Sequence, residues 1–284
     1  MSNFTLPKIN FNNIQIPDSN TKTIKSTKST TPPKVPPQKL PTPDIQHELC
    51  KLRELHPKCI ANVMVFDTET SALKDGHILQ LSYIIYNITT NTIVKTVDRI
   101  IRIDASVVIS EGSYNVHHID FAKCQRSGVP IVDALKEFYT DYVEHTDMII
   151  GHNIRFDTNM MNLEMRRNWK SLQETHPHAL NLFTIGFYTE YNKSALCTMN
   201  TTKMYYADQR YHEGKQFYYW KSPKLVELHE RLYPTVSKAQ RENLHNSLMD
   251  CLVTLQCYVK LWHMTEVKES DYDKIVTSVK KSIY

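Results

Sequence analysis

The sequence lacks the features that are typical of secreted and membrane proteins. Its six cysteines include no C-x-x-C pair and no zinc-finger spacing. We also expect no secretory leader. No apolar run approaches the roughly 20 residues that a membrane-spanning helix needs. We therefore expect reduced thiols in an intracellular protein, cytoplasmic or nuclear, that has no membrane partner.

The larger part of the sequence also lacks an excess of positive charge. The 284 residues include 34 lysines and arginines and 30 aspartates and glutamates, and the whole net charge of +4 falls within residues 1–45. That segment holds eight of the 13 prolines and no glycine. Because it has no apolar periodicity with which to bury surface, we predict a disordered arm over residues 1–45 and a folded domain over residues 46–284. The arm is either a flexible solvated segment or a contact for nucleic acid or a partner.

The rest of the sequence has the pattern of strands followed by helices. Short polar turns separate stretches rich in β-branched and aromatic residues, which predicts an antiparallel meander over residues 62–68, 77–86 and 92–103. Apolar residues at helical spacing and one short buried run then predict helices over 131–139, 158–172 and 247–264 and a strand over 148–150. This order of elements indicates an α/β domain with a mixed sheet.

Two carboxylates end the first predicted strand. Asp67 and Glu69 follow an apolar, β-branched run and are separated by one residue. Side chains at i and i+2 of a strand point to the same face, so the two carboxylates can aim at one point in space. Like charges at close range repel each other, and a bound divalent cation would offset that repulsion. A strand that simply ends in a polar turn is the alternative interpretation of so short a motif.

Two further acidic residues lie at predicted helix starts. Asp157 ends the stretch G-H-N-I-R-F-D between strand 148–150 and the next helix, and Asp250 follows His245 by five residues in the first turn of the last helix. Both aspartates have an alternative role in helix capping. Asp is a preferred cap residue, and Ser247 with Asp250 has the S-x-x-D spacing of a capping box. The histidine is alternatively an ordinary loop residue.

Together, and in this order, the three motifs resemble the DEDDh branch of the DnaQ-like 3′–5′ exonucleases. A D-x-E, an H-N-x-x-F-D and an H-x-x-x-x-D are spaced about 90 residues apart and span residues 63–250. The resemblance implies a ribonuclease H-like fold, with a mixed five-stranded sheet flanked by helices. It also implies four catalytic, metal-binding carboxylates and a catalytic histidine, which are Asp67, Glu69, Asp157, Asp250 and His245.

These residue types suit phosphodiester hydrolysis with two metal ions. Mg²⁺ and Mn²⁺ prefer oxygen ligands, and two such ions about 3.5–4 Å apart activate a water and stabilise the leaving oxygen. The resemblance implies that Asp67 bridges both ions and that Glu69 and Asp250 hold the one beside the water. Asp157 would complete the cluster. His245 is an imidazole on a loop, suited to take a proton from that water near neutral pH, and the products would be nucleoside 5′-monophosphates.

By the same resemblance, residues after the first motif hold the 3′ end of the substrate. The matching positions are Thr68, Thr70, Ser71, Ala72 and Leu73, with Asn153 of the second motif as a loop anchor or a further substrate contact. Ala72 stands where the family usually has glycine, which predicts a loop of different shape. Leu73 is either a wedge against the terminal base or an anchor in a small core, and Phe156 is expected in the core.

Two further elements favour DNA as the substrate. C-T-M at 197–199 and P-K-L-x-E-L at 223–228 look like elements of three-prime repair exonucleases and bacterial polymerase III proofreading subunits, which act on DNA. Between them, aromatic residues alternate with lysine and arginine over residues 203–221, which is typical of a stacking platform for single strands or of a β-hairpin with one packed face. The balanced charge of the folded domain disfavours broad duplex binding. We therefore predict a preference for single-stranded DNA.

Two other functions are compatible with parts of this pattern. A 3′–5′ exoribonuclease would have the same fold and the same five catalytic residues, so only the choice of substrate distinguishes it. A non-catalytic module that binds nucleic acid or protein would keep the fold but lose carboxylates, and here all of them are present. A polymerase or a second copy of the chain stays open as a partner, and residues 173–196 match no motif.

Overall fold

The computed structural model describes residues 38–54, 56–57, 59–235 and 245–283. The predicted arm therefore lies outside the described residues except for 38–44, which form neither helix nor strand before helix α1 (Ile45–Glu54) begins. Across the described ranges, no helix is both long and apolar enough to cross a membrane.

A five-stranded mixed sheet forms the centre of the domain. Its strands are β1 (Asn62–Thr70), β2 (Ile78–Asn87), β3 (Thr92–Ile100), β4 (Met148–Gly151) and β5 (Ser194–Cys197). In the order β3-β2-β1-β4-β5, the first three strands are antiparallel neighbours, whereas β4 lies parallel to both β1 and β5. The predicted meander and the mixed five-stranded sheet are confirmed. β3 ends three residues earlier than predicted. Ile101 still donates to the carbonyl oxygen of Leu79 in β2 at 2.8 Å, but it forms only an isolated bridge, with Val129.

Helices flank the sheet on both faces. They are α2 (Glu111–His117), α3 (Phe121–Ser127), α4 (Ile131–His145), α5 (Ile154–Arg167), α6 (Trp169–Leu172), α7 (Ile185–Glu190), α8 (Thr198–Thr201), α9 (Lys203–Tyr206), α10 (Leu225–Leu232), α11 (Ser247–Tyr258) and α12 (Glu269–Ile283). A 3₁₀ turn lies at Ala179–Asn181 and a π turn at Val259–His263. Strands β6 (Gln209–His212) and β7 (Phe217–Trp220) form a separate hairpin, which is one of the two structures that the aromatic pattern predicted.

Successive side chains of β1 point to opposite faces of the sheet, which divides the core into two layers. Val63 and Val65 pack with α10, α11 and α12, whereas Met64 and Phe66 pack with α4, α5 and α7 on the other face. All four side chains are buried, and burying each one contributes about 1.5–3 kcal/mol relative to exposure. At the carboxyl end of β1, odd-numbered residues therefore face α11 and even-numbered residues face α5.

The helix predicted over residues 158–172 is in fact the two helices α5 and α6. The side-chain amide of Asn168 shares the carbonyl oxygen of Glu164 with its own backbone amide, at 2.9 and 3.0 Å. A polar side chain that competes in this way for backbone acceptors closes a helix. The apolar stripe continues across the break, because Met165 and Leu172 are both buried, so the periodicity alone did not show it.

The last predicted helix, over residues 247–264, changes form at Val259. A π turn follows α11 and brings His263 back to Tyr258, with 2.9 Å between the imidazole Nε2 and the tyrosine hydroxyl. The same hydroxyl lies 2.7 Å from Nε2 of His56. Contacts of the Tyr258 hydroxyl with two imidazoles thus accompany the change from α to π winding.

Residues 173–196, which match no sequence motif, complete the core on the α4–α5 side. Leu182 and Phe187 are buried there, and the ring of Phe183 stacks against that of Phe66 with 6.2 Å between centroids. The segment then forms β5 at the edge of the sheet. Its role in the fold is therefore packing.

Candidate active site

Asp67 and Glu69 lie where β1 extends beyond its parallel neighbour. β1 pairs with β4 only as far as Val65, so both carboxylates lie past the end of β4, at the carboxyl edge of the parallel strands. Both occupy odd-numbered positions and face α11. A register shift between Glu69 and Thr70 interrupts the regular pairing with β2 directly after them.

Asp250 reaches the same edge from the first turn of α11. Asn246 caps this helix, since its side-chain oxygen accepts hydrogen bonds from the backbone amides of Leu248 at 3.2 Å and Met249 at 3.3 Å. The capping box suggested by the S-x-x-D spacing is therefore wrong. Ser247 instead contacts Ser82 of β2, with 2.6 Å between their hydroxyl oxygens, and this contact seats the start of α11 on the sheet.

The carboxylates from β1 and α11 form one cluster. Asp67, Glu69 and Asp250 each offer an oxygen atom, and these atoms all lie within 4.8 Å of one another. The structure thus brings together three of the four carboxylates that the sequence motifs single out.

The fourth carboxylate, Asp157, approaches the same end of β1 from the opposite face of the sheet. It lies in the first turn of α5 and is 3 % exposed. Its Oδ1 accepts hydrogen bonds from the amide of Thr68 at 3.0 Å and from the Thr68 hydroxyl at 2.8 Å. The carboxylate is therefore bonded across to the end of β1, which is a different role from the helix cap that its position suggested.

Burial raises the pKa of all four carboxyl groups, and repulsion by neighbouring carboxylates adds to the shifts of Asp67, Glu69 and Asp250. Burial is the largest cause of each shift, and it raises the pKa of Glu69 to about 9 and the pKa values of Asp157 and Asp250 to about 7. Asp67, which the other three carboxylates repel in addition, has a pKa well above its usual range. Among the described residues, no lysine or arginine is a cause of these shifts. Oxygen ligands without a cationic partner fit a hard divalent cation such as Mg²⁺ or Mn²⁺.

His245 lies in the turn that leads into α11 and is exposed. Its backbone has a φ of 80°, a left-handed value that residues other than glycine rarely adopt. Its backbone amide makes a hydrogen bond with the Asp250 carboxylate. This contact places the backbone of His245 beside the carboxylate cluster. Residues 236–244, which precede it, lie outside the described part of the chain.

The hydroxyl groups predicted to hold the substrate all have partners within the chain. Thr68 donates to the carboxylate on α5, as described above. Thr70 donates to the carbonyl oxygen of Ala72 at 3.1 Å. Ser71 accepts a hydrogen bond from the amide of His77 at 2.9 Å. All three residues are at most 5 % exposed, so their side chains shape the loop that follows β1.

The tip of this loop is open to solvent while its base is firmly held. Leu73 is 81 % exposed, so the interpretation as a core anchor is wrong and the wedge stays a prediction. The loop backbone returns close to itself at Gly76, where a Cβ atom would lie only 2.3 Å from the carbonyl oxygen of Ala72. This close approach requires glycine. From α5, the guanidinium of Arg167 donates to the carbonyl oxygens of Asp75 at 2.8 Å and Gly76 at 2.7 Å.

Sequence reasoning missed His117, which supports the acidic end of β1. Its Nε2 donates to the carbonyl oxygen of Thr70 at 3.1 Å, since its Nδ1 accepts from the amide of Ile119 at 3.0 Å. Burial lowers the pKa of His117, and repulsion from the nearby His245 is a smaller cause of the same sign. The residues around His117 have no capping or ligand spacing, so only the contact in space reveals it.

The second motif holds the surrounding loops together. His152 accepts from the Thr198 hydroxyl through Nδ1 and donates from Nε2 to the carbonyl oxygen of Pro223, both at 3.0 Å. Asn153 is exposed with a φ of 71° and makes no side-chain cap bond, and its substrate contact stays a prediction. Phe156 packs against the core, which confirms that prediction.

Comparison with known proteins finds similarity at the level of structure alone. No protein-family model and no curated protein matches the chain. E. coli Exonuclease I, solved with a dA16 oligonucleotide, superposes with a TM-score of 0.52 at 13% identity, covering 76% of this chain and 43% of that one. Exonuclease I from Methylocaldum szegediense gives 0.50 at 12% identity, covering 72% and 42%. A 3′-exonuclease that recognises the 3′ end of the histone mRNA stem-loop gives 0.51 at 12% identity, covering 74% and 85%.

These matches show the fold of the chain, which is ribonuclease H-like. The chain spans less than half of the length of the Exonuclease I chains and most of the length of the histone mRNA exonuclease. Identities of 12 to 13% carry no residue roles from one protein to the other. The chemistry of this chain has to be argued from its own side chains.

Proposed function

We propose that this chain is a metal-dependent 3′–5′ exonuclease of the DEDDh type, which hydrolyses phosphodiesters from the 3′ end of DNA and releases nucleoside 5′-monophosphates. The observation that carries the proposal is the convergence of Asp67, Glu69 and Asp250 within 4.8 Å, with Asp157 bonded against the same strand end. Three half-buried carboxylates beside the buried Asp157 repel one another unless a cation is bound. Hydrolysis of a charged phosphodiester is a reaction that uses such cations.

Two divalent ions, Mg²⁺ or Mn²⁺, are the cofactors that this set of ligands fits. Asp67, Glu69, Asp157 and Asp250 would hold them. When bound, such ions lower the pKa of a coordinated water and offset negative charge on the phosphate oxygens. The raised pKa values of the four carboxyl groups also support cation binding, since a cation at the cluster would favour their ionised forms.

His245 is the proposed general base. It is exposed, lies in the turn before α11, and is fastened to the cluster through its backbone contact with Asp250. An imidazole at such a position can take a proton from an attacking water at neutral pH. The turn allows the ring to approach the substrate without moving the carboxylates.

Selection of the 3′ end is assigned to the loop that follows β1. Leu73 projects into solvent from a base held by Arg167 and by the buried Thr70 and Ser71, which suits a side chain that wedges against a terminal base. Asn153 is a second exposed group, at the start of the helix that carries Asp157. The hydroxyl of Thr68 acts indirectly, by orienting Asp157.

Two alternative functions are distinguished by experiment. An exoribonuclease would use the same carboxylates and histidine, and the structural similarity extends both to an enzyme solved with a DNA oligonucleotide and to one that recognises an mRNA end. A non-catalytic binding module would need no acidic cluster. The intact cluster favours an enzyme, and the sequence elements at 197–199 and 223–228 favour DNA.

The test is degradation of 5′-labelled single-stranded DNA and RNA of matched sequence by the full chain with Mg²⁺, Mn²⁺ or EDTA. We expect a ladder of products shortened stepwise from the 3′ end of the DNA, and no reaction in EDTA. Asp67→Ala should abolish the ladder, and His245→Ala should slow its appearance by about 100-fold or more. A substrate with a blocked 3′-hydroxyl controls for an endonuclease.

Each other outcome has a defined meaning. If RNA is degraded faster than DNA, the proposed mechanism stands and the substrate is RNA. Activity that persists in Asp67→Ala would assign the reaction to another site or to a contaminant. Absence of hydrolysis with either metal on either substrate would refute the enzyme and support the binding module.

A further inference from the structure

Hairpin β6–β7 and its flanks carry an unusual concentration of aromatic rings and positive charge. Residues 203–224 contain seven of the 28 aromatic residues of the chain. They also contain five lysines and arginines and two acidic residues, a net charge of +3, although the predicted folded domain over residues 46–284 has no net charge. Such a local excess complements a polyanion.

The two faces of the hairpin differ. Residues paired across an antiparallel ladder share a face, as do residues two apart along a strand, so Arg210, His212, Phe217 and Tyr219 lie together on one face, which we call the open face. All four are exposed, with Phe217 at 43% and Tyr219 at 40%. On the other face Tyr211 is 40% exposed, whereas Tyr218 and Trp220 are half-buried. The side chain of Gln209 on that face donates to the carbonyl oxygen of Leu40.

The rings of the open face are held in place before any ligand binds. The His212 ring lies under Phe217 at 5.6 Å between centroids and 27° between planes, and its Nδ1 accepts a hydrogen bond from the amide of Lys215 in the turn. Phe217 and Tyr219 are 6.0 Å apart. Rigid, exposed aromatic rings bind with little loss of conformational freedom.

Cations accompany these rings. Arg210 lies opposite Tyr219 in the ladder and is paired with Asp208. Lys215 at the turn is exposed and, among the described residues, has no acidic partner within ion-pair distance. Lysine beside stacked rings is the combination that tracks a nucleic-acid backbone.

The base of the hairpin is attached to the active-site edge of the sheet. Pro223, which follows β7, accepts the hydrogen bond from His152, and that histidine lies between β4 and the helix of Asp157. On the other side, Thr198 follows β5 and bonds to the same imidazole. The chain therefore leaves the catalytic edge at Thr198, forms the hairpin, and returns to that edge at Pro223.

We propose that the open face of hairpin β6–β7 is a second substrate contact, on which Phe217 and Tyr219 stack with unpaired bases upstream of the 3′ end. The inference rests on the proposed exonuclease function and specifies its substrate as a single strand several nucleotides long. A base can stack on these rings only if its own face is free, and the bases within a duplex are already stacked on their neighbours. Stacking tolerates any base, as a processive or non-specific exonuclease requires.

The test compares substrates of increasing length. The double variant Phe217→Ala/Tyr219→Ala is assayed with the full chain and Mg²⁺ on oligo(dT) and oligo(U) of about 3, 6, 9 and 16 nucleotides. We expect KM for the longest strand to rise about tenfold or more with kcat little changed, and kinetics on the shortest strand to stay as in the wild type. Phe121→Ala, at a ring of similar exposure (42%) on α3, is the matched control and should change neither.

Binding measured without catalysis separates this inference from the proposed function. Fluorescence anisotropy of a labelled 16-mer in EDTA should show the same weakening in the double variant, and a chain that binds but hydrolyses nothing would refute the exonuclease while keeping the platform. Phe217→Tyr/Tyr219→Phe should bind normally, because both rings remain. Equal effects at all lengths, or no effect on any strand, would overturn the inference. A double variant that binds strands normally but loses self-association in sedimentation would assign the open face to a second copy.

Discussion

The hydroxyl group of Thr68 lies 2.8 Å from Oδ1 of Asp157, and the Thr68 amide nitrogen lies 3.0 Å from the same oxygen. The two residues are 89 positions apart, on β1 and α5. Both hydrogen bonds favour the ionised carboxylate, whereas burial opposes it and raises the pKa of Asp157 to about 7. The pair thus joins the two faces of the sheet at the candidate active site and orients one carboxylate of the cluster.

Replacement of Thr68 by valine should weaken metal binding. Valine has nearly the same shape but no hydroxyl donor, so Asp157 would keep one of its two hydrogen bonds to this residue. Loss of a group that orients a metal ligand typically costs about 10- to 100-fold in metal affinity or activity. The Mg²⁺ concentration for half-maximal nucleotide release should rise by that factor. Thr68→Ser keeps the donor and should behave as the wild type, and an unchanged Mg²⁺ dependence of Thr68→Val would contradict the assigned role.

Replacement of Asp67 by asparagine should stabilise the metal-free protein. Burial and then repulsion by the other carboxylates raise the pKa of Asp67, which means that its charge opposes folding. Removing that charge should raise Tm in EDTA by about 3 °C or more, corresponding to about 1 kcal/mol for a domain of this size. In Mg²⁺ the order should reverse, because ligand binding stabilises only the chain that binds it. A lower Tm for Asp67→Asn in EDTA would show that the cluster is not under electrostatic strain.

Local sequence patterns could predict the carboxylates because their placement follows from single elements. Strand alternation puts Asp67 and Glu69 on one face, and both aspartates at helix starts lie in first turns as expected. The fold class followed from the same periodicities, since the three meander strands and the short β4 are apolar enough to be recognised.

The partners of those residues could not be predicted, because they come from distant parts of the chain. Asp157 had the position of a cap but bonds to Thr68, and Ser247 had capping-box spacing but bonds to Ser82. Capping rules consider neighbours within one turn, whereas these contacts depend on how helices seat on the sheet. His117 was missed for the same reason.

His245→Ala should separate catalysis from metal binding. The imidazole is the proposed proton acceptor, while the backbone amide that contacts Asp250 remains in the variant. Loss of a general base lowers kcat by about 100- to 10,000-fold. The rise in Tm caused by Mg²⁺ should persist, in contrast to Asp67→Asn. If His245→Ala instead loses the Mg²⁺ effect on Tm and keeps kcat, the residue is a structural support and not the base.

His152 should make the fold sensitive to mild acid. Burial lowers its pKa to about 4, against 6.5 in an unfolded chain, so the unfolded state binds more protons between those values. Stability contributed by the neutral ring is present above about pH 6.5 and should fall by about 2 kcal/mol between about pH 7 and pH 5. Burial also lowers the pKa of His263 to about 4, which adds a loss of the same sign. Urea unfolding at both pH values should therefore show a smaller decrease for His152→Gln than for the wild type, and equal decreases would mean that His152 is not buried as a neutral ring.

Arg167→Ala should lower both the stability of the fold and the affinity for the 3′ end of the substrate. The guanidinium donates to Asp75 and Gly76 at the base of the loop that carries Leu73, and it also pairs with Glu164, which is 3 % exposed, at 2.8 Å. Without it, Glu164 would keep its contact with the His77 imidazole at 3.0 Å, and the loss of one partner of a buried polar group costs about 1–3 kcal/mol. A looser loop should raise KM for a short single strand more than it lowers kcat, because Arg167 pairs with Glu164 and not with the four carboxylates of the candidate active site. Arg166→Ala changes the exposed neighbour and should alter neither stability nor KM. A stability loss in Arg167→Ala with unchanged KM would show that the loop keeps its shape without the anchor, and that Leu73 does not depend on it.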